Sequence, residues 1–112
     1  MLNLLFVYGT LRSEFENEYA RSLRSKADLV GRATVTGSIY RVDYFPAFRP
    51  EPAGEVHGEV YRLRDPETTL KTLDEYEGSE FERVVVNGNW IYQYRAQPPD
   101  DSQIPSGDFC AG

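Results

Sequence analysis

With a single cysteine, Cys110, in 112 residues, the chain has no internal disulfide to form, and that thiol's place near the C-terminal end argues against a catalytic thiolate. A reducing cytoplasm is the expected compartment. Histidine is equally scarce: His57 has no second His or Cys at ligand spacing, so it reads as an ordinary strand residue and no metal is expected. Positive charge is outnumbered, 12 Lys and Arg against 18 Asp and Glu for a formal net charge of -6. Without a cationic stripe to neutralise phosphates, neither nucleic acid nor an anionic membrane is the expected partner, and a small-molecule ligand fits better. No apolar run approaches the roughly 18 residues of a membrane span, and Met1 to Tyr8 lacks the basic lead and the length of a secretion signal. Also missing are a Gly-rich phosphate loop, a dinucleotide fingerprint and a Gly-x-Ser-x-Gly elbow, which leaves phosphoryl transfer, hydride transfer and serine hydrolysis without a carrier.

What is present suffices for one domain over residues 1–112, since a chain of this length buries about two-thirds of its unfolded surface. Hydrophobic residues at 40% and charged at 27% are ordinary globular values, so the chain is expected to fold by itself. Leu2 to Tyr8 reads as a buried, central strand ended by Gly9, and Glu16 to Ser25 as a short helix with Tyr19, Ala20 and Leu23 on one face. Val30 to Val42 is extended, with Gly37 as the expected bulge; Asp43 to Gly54, rich in Pro and aromatics, is expected to be an ordered covering loop. Glu55 to Leu63 is a further strand. Asp65 and Pro66 open a helix that runs to Glu77, where Gly78 stops it. Phe81 to Val86 and Trp90 to Tyr94 form a hairpin about Asn87-Gly88-Asn89. From Gln97 onward an irregular tail is expected to dock through Phe109. Strands joined by hairpins and by longer crossings make this an α+β domain around a mixed, curved sheet.

One carboxylate breaks the pattern. Leu70 and Leu73 define the buried stripe of the helix Pro66 to Glu77, and 100° steps place Glu77 between them. A charge is therefore aimed inward at the helix end, where burial and the negative helix terminus both raise its pKa toward the range useful for proton transfer. The alternatives are a frayed last turn or an ion pair with Arg83. Glu75 reads as solvated and Asp74 as borderline. The second half of a site is Tyr8-Gly9-Thr10-Leu11: following a buried strand, its amides project at the sheet's end, where a bare glycine admits a ligand carbonyl or carboxylate. A plain tight turn is the competing reading. Arg12 is open to two roles, a partner for a ligand carboxylate or a surface salt bridge.

Four blocks in order resemble the γ-glutamylcyclotransferase-like family: Val7-Tyr8-Gly9-Thr10-Leu11-Arg12 with Asn17; Gly37-x-x-Tyr40 with Tyr44-x-Pro46-Ala47; Gly58-Glu59-Val60-Tyr61; and Leu73-Asp74-x-Tyr76-Glu77-Gly78 with Phe81-x-Arg83. The tail Ile104 to Phe109 is similar to that of the short bacterial members. The resemblance implies a small mixed β-barrel with two short helices and a pocket at one end. It implies Glu77 as the acid-base residue, Tyr8, Gly9, Thr10 and Leu11 as the substrate-binding loop, and a γ-glutamyl amine or γ-glutamyl amino acid as the substrate. The implied reaction releases 5-oxoproline by intramolecular aminolysis and needs no cofactor. The competing function is a non-catalytic small-molecule binding or regulatory module using the same cleft. Two departures bear on substrate choice: Ser13 and Glu14 replace a common glycine, and Phe81 replaces a common tyrosine. A carboxylate at Glu14 beside the pocket is expected to disfavour acidic substrates. Arg83 is expected to orient structure through an ion pair before it contacts ligand.

Overall fold

The computed structural model describes residues 1–110, so 111 and 112, the last positions of the expected tail, lie outside the described residues. Leu4–Val7 (β1) alternates its side chains as a strand must: Leu5 and Val7 enter one core cluster, Phe6 the other. Glu18–Lys26 (α1) begins at Asn17, whose side chain accepts from the Ala20 amide and so starts the helix two residues later than its apolar spacing implied. Ala27–Thr36 (β2) follows without a loop, then Ser38–Val42 (β3), Phe45–Arg49 (β4) and Glu55–Leu63 (β5). Pro66–Glu77 (α2) leads to the hairpin of Phe81–Val86 (β6) and Asn89–Tyr94 (β7).

The strands make one seven-stranded sheet, in the order β2-β5-β1-β7-β4-β3 with β6 on β7. It curls into a half-barrel with two helices, the α+β architecture expected. β1 lies in the middle, antiparallel to β5 and parallel to β7. Leu23 and Ala27 from the α1 end and Leu70 and Leu73 from α2 join Leu5 and Val7 in one cluster. Phe6, Val35, Ile39, Phe48, Val56 and Ile91 fill the other.

Two expectations are corrected. The bulge falls between Leu29 and Gly31, not at Gly37, which instead separates β2 from β3 at a φ of 145°. The covering loop contains a strand: Phe45–Arg49 pairs with β3 along its length and with β7 at Phe48. Pro46 argued against a strand. β4 reaches β7 two residues beyond it, so its missing N–H breaks nothing in that ladder.

The segment after β7 crosses back over the sheet. A short 3₁₀ turn spans Asp100–Ser102, Ile104 is buried and its amide donates to the Ile39 carbonyl at 2.9 Å, and the His57 amide donates to Gly107 O at 2.8 Å. Among the described residues no helix is long and apolar enough to cross a membrane.

Candidate active site

Along one edge, β7 changes partner: Trp90 pairs with Leu5 of β1, and Gln93 pairs with Phe48 of β4. Between these two pairings β1 and β4 part. Tyr8 bridges the parting, its hydroxyl donating to the Tyr92 carbonyl at 2.6 Å and accepting from the Phe48 amide at 3.2 Å. A phenol thus stands in for the missing peptide ladder. Burial above all, then the charge of Glu77, pushes the Tyr8 hydroxyl above its ordinary range, partly offset by the Phe48 amide, so it remains a donor.

A cavity of about 220 Å³ is bordered by the parted strands, with Phe6, Val7 and Tyr8 from β1, Phe45 and Pro46 from β4, and Tyr92 from β7. Gly9, Thr10 and Leu11 line it from the loop, and Tyr76 and Glu77 from α2, followed by Glu80 and Phe81. Glu77 therefore meets the loop Tyr8 to Leu11 across one cavity. Burial raises its carboxyl from the usual 4.5 to about 7. The ion pair with Arg83 considered for it does not form: Arg83 instead grips Asp74, Nε to Oδ1 at 2.9 Å and Nη2 to Oδ2 at 3.2 Å, and lies 4.3 Å over the Trp90 ring. The Tyr92 hydroxyl donates to Asp74 Oδ1 at 2.7 Å. Burial alone would raise Asp74, but these bonds from Arg83 and Tyr92 outweigh it and hold the carboxyl below its usual range. Two carboxyls one helical turn apart are thereby separated, one fixed as an anion and one poised near neutrality. Gly78 ends the helix at φ 80° and ψ -174°, a pairing only glycine adopts readily, with its N–H on the Asp74 carbonyl.

The loop is held from outside. The Arg12 amide donates to Gly9 O at 3.0 Å, and Asn17 Nδ2 donates to Thr10 O at 2.8 Å. Gly9 is small for a steric reason: a Cβ would sit 2.7 Å from the Pro46 ring. Among the described residues the amides of Gly9, Thr10 and Leu11 meet no protein acceptor, which leaves donors on the residues that line the cavity. The Thr10 and Tyr76 hydroxyls are 3.0 Å apart, and Tyr76 stacks on Tyr19 at 4.1 Å. Such an arrangement has the parts for proton transfer beside a hydrogen-bonded carbonyl or oxyanion. No group of three or more His, Cys, Asp or Glu among the described residues is placed to hold a metal.

A family model described as gamma-glutamyl cyclotransferase, AIG2-like, matches residues 5–111. The chain belongs to this family. It is 31% identical over 112 residues to the gamma-glutamylcyclotransferase family protein YtfP of Escherichia coli, covering 94% of each chain. A putative gamma-glutamylcyclotransferase of Vibrio cholerae is 33% identical over 118 residues, covering 98% of this chain and 97% of that one. Among solved structures, the uncharacterized protein PH0828 of Pyrococcus horikoshii superposes with a TM-score of 0.78 over 97% of this chain and 91% of its own, at 24% identity, a likeness of fold.

For a γ-glutamylcyclotransferase-family chain, two expectations about charge are overturned. Arg12 is not at the surface and does not line the cavity; it is buried and ion-paired with Glu14 and Asp108. Glu14 does not line it either, and its carboxylate is taken by Arg12. The negative charge bordering the cavity outside Glu77 belongs to Glu80, whose side chain bonds the Tyr94 hydroxyl at 3.3 Å. Sequence reasoning also missed Tyr76, Phe45 and Pro46 as joint walls of one cavity. Tyr76 points off the Leu70–Leu73 stripe, so only its partners Thr10 and Tyr19, distant in sequence, reveal its place.

Proposed function

We propose that the chain is a γ-glutamylcyclotransferase-type enzyme that releases 5-oxoproline from a γ-glutamyl amine or γ-glutamyl amino acid. The observation that carries this reading is the half-buried Glu77 carboxyl, its pKa raised by desolvation, facing a loop with unpartnered amides across one cavity. The substrate's α-ammonium gives a proton to the Glu77 carboxylate, and the freed amine attacks the γ-carbonyl carbon of the same molecule. The carbonyl oxygen gains negative charge, which the amides of Gly9, Thr10 and Leu11 are there to accept. The bond to the leaving nitrogen then breaks as Glu77 returns the proton to it, and the second proton shed by the ring nitrogen passes to the departing amine, which leaves as an ammonium. One C–N bond forms and one breaks without change of oxidation state, so the step calls for no cofactor. Because nucleophile and electrophile are in one molecule, holding the folded pose supplies much of the acceleration.

The cavity lining favours a class of leaving group. It includes no Arg, Lys or His, while Glu80 adds a carboxylate. Neutral or cationic amines are therefore preferred over leaving groups that carry a carboxylate.

The test incubates wild type and Glu77→Gln with γ-glutamyl amines, γ-glutamyl amino acids and glutathione, and measures 5-oxoproline by mass spectrometry. Release by wild type, strongest with amines, and a loss of roughly 10²- to 10⁴-fold in Glu77→Gln is the expected result. Ligand binding without release by either protein would instead make the chain a binding module.

A further inference from the structure

Arg12 follows directly on the three cavity-lining amides, yet its side chain is only 3% exposed and does not line the cavity. A buried guanidinium persists only where acceptors meet it on all sides. Nε and Nη2 donate to the two Glu14 oxygens at 3.1 and 2.8 Å, a forked pairing. Nη1 donates to Asp108 Oδ1 at 2.8 Å. Glu14 is a local partner, two residues along, whereas Asp108 arrives from 96 residues away in the C-terminal segment. Among the described residues, the pair with Asp108 is the ion pair that ties the Tyr8 to Ser13 stretch to a distant part of the chain.

Asp108 is itself held. The neighbouring Gly107 accepts from the His57 amide and has no room for a side chain, since a Cβ would lie 1.9 Å from the Glu55 carbonyl. Phe109 stacks on Phe15 at 6.2 Å and lies under the Arg41 guanidinium at 5.2 Å. On the loop side, buried Glu59 of β5 accepts from both the amide and the hydroxyl of Ser13, at 2.6 Å each. The end of the loop is thus fastened twice, at Ser13 by Glu59 to the sheet and at Arg12 by Asp108 to the C-terminal segment.

We propose that Asp108 is a positioning residue for the substrate loop: by holding Arg12 from behind, the C-terminal segment fixes the direction of the Gly9, Thr10 and Leu11 amides toward the cavity. The geometric part stands on the contacts above; its catalytic consequence rests on the cyclotransferase reading.

The experiment compares full-length wild type with Asp108→Ala and the milder Asp108→Asn, which keeps one acceptor oxygen. Backbone order parameters are measured by NMR, alongside steady-state kinetics of 5-oxoproline release. In Asp108→Ala the order parameters at Gly9, Thr10 and Leu11 fall from about 0.85 toward 0.6 while Leu5 to Val7 stay rigid. The specificity constant kcat/KM drops about tenfold, mainly through KM, the acid limb of the kcat profile does not move because Glu77 is untouched, and Asp108→Asn recovers part of the loss. Unchanged loop order parameters with kcat/KM within twofold of wild type would overturn the proposal. So would loosening spread equally over β1, which marks a general structural tie. Should Asp108→Ala fail to fold, the same criteria apply to Asp108→Asn. If wild type releases no 5-oxoproline, the functional reading fails, and the order parameters alone still decide whether Asp108 orders the loop.

Discussion

Tyr8 and Glu77 border the same cavity with opposite commitments. The Tyr8 hydroxyl is fully used, giving one hydrogen bond to Tyr92 O and taking one from the Phe48 amide, so its contribution is to hold the parted strands. Tyr8→Phe leaves a buried carbonyl and a buried amide without that partner, and a loss of about 2 kcal/mol is expected in urea unfolding. Glu77 by contrast has been driven to about 7 by burial alone, from the usual 4.5. A raised carboxyl means the folded chain holds the proton more tightly than the unfolded chain does. Its contribution to stability is therefore complete below about pH 4.5 and is lost as pH rises through 7. By linkage the cost at pH 8 is about 3 kcal/mol, and Glu77→Gln, which cannot ionise, removes it. Because part of the cost is already present at pH 5, thermal melts at pH 5 and pH 8 should differ less for Glu77→Gln than for wild type by about 2.5 kcal/mol, and an equal difference in the two proteins would refute the assignment. Glu77 was legible in the sequence because a charge on an apolar stripe contradicts its own helix. Glu80 contradicted nothing locally, and nothing in its neighbourhood marked it as cavity lining.

Among the elements, β5 and α2 were readable to the residue, and β4 was not. Asp65 and Pro66 open α2 and Gly78 closes it by local chemistry, with the Asp65 carboxylate accepting from the Thr68 amide. β4 owes its strand character to β3, which it follows through a turn at Asp43 with φ 53°, a conformation Asp tolerates better than most residues. Its Pro46 concealed it. Where β5 passes β1 there is no room for a side chain: a Cβ on Gly58 would stand 2.2 Å from the Val7 carbonyl and 2.7 Å from the Phe6 ring. Backbone cannot yield there as a side chain can. Gly58→Ala is therefore expected to cost about 3 kcal/mol in urea unfolding and to displace the end of β1 that carries the substrate loop. Gly88→Ala is the control: it meets no atom within 4 Å and suffers only the strain of φ 81°, so its cost should be nearer 1 kcal/mol.

At the scale of the molecule, local signals revealed the parts and left their meeting hidden. Thr10 and Tyr76 stand 66 residues apart and Arg12 and Asp108 stand 96 apart, separations over which periodicity and capping chemistry are silent. The middle of the sheet is the hardest place to reach by such rules, because β1 is flanked by strands that begin at Glu55 and Asn89. That order has a meaning for how the protein is made. Of the seven strands β1 is made first, yet Leu5 cannot pair with Trp90 until all the residues between them have been made. At ordinary rates of synthesis the wait is on the order of ten seconds. Through that interval Leu4-Leu5-Phe6-Val7 is an apolar strand with an unpaired edge, the kind of segment that a chaperone shelters and that a crowded, stalled or truncated chain exposes to its neighbours.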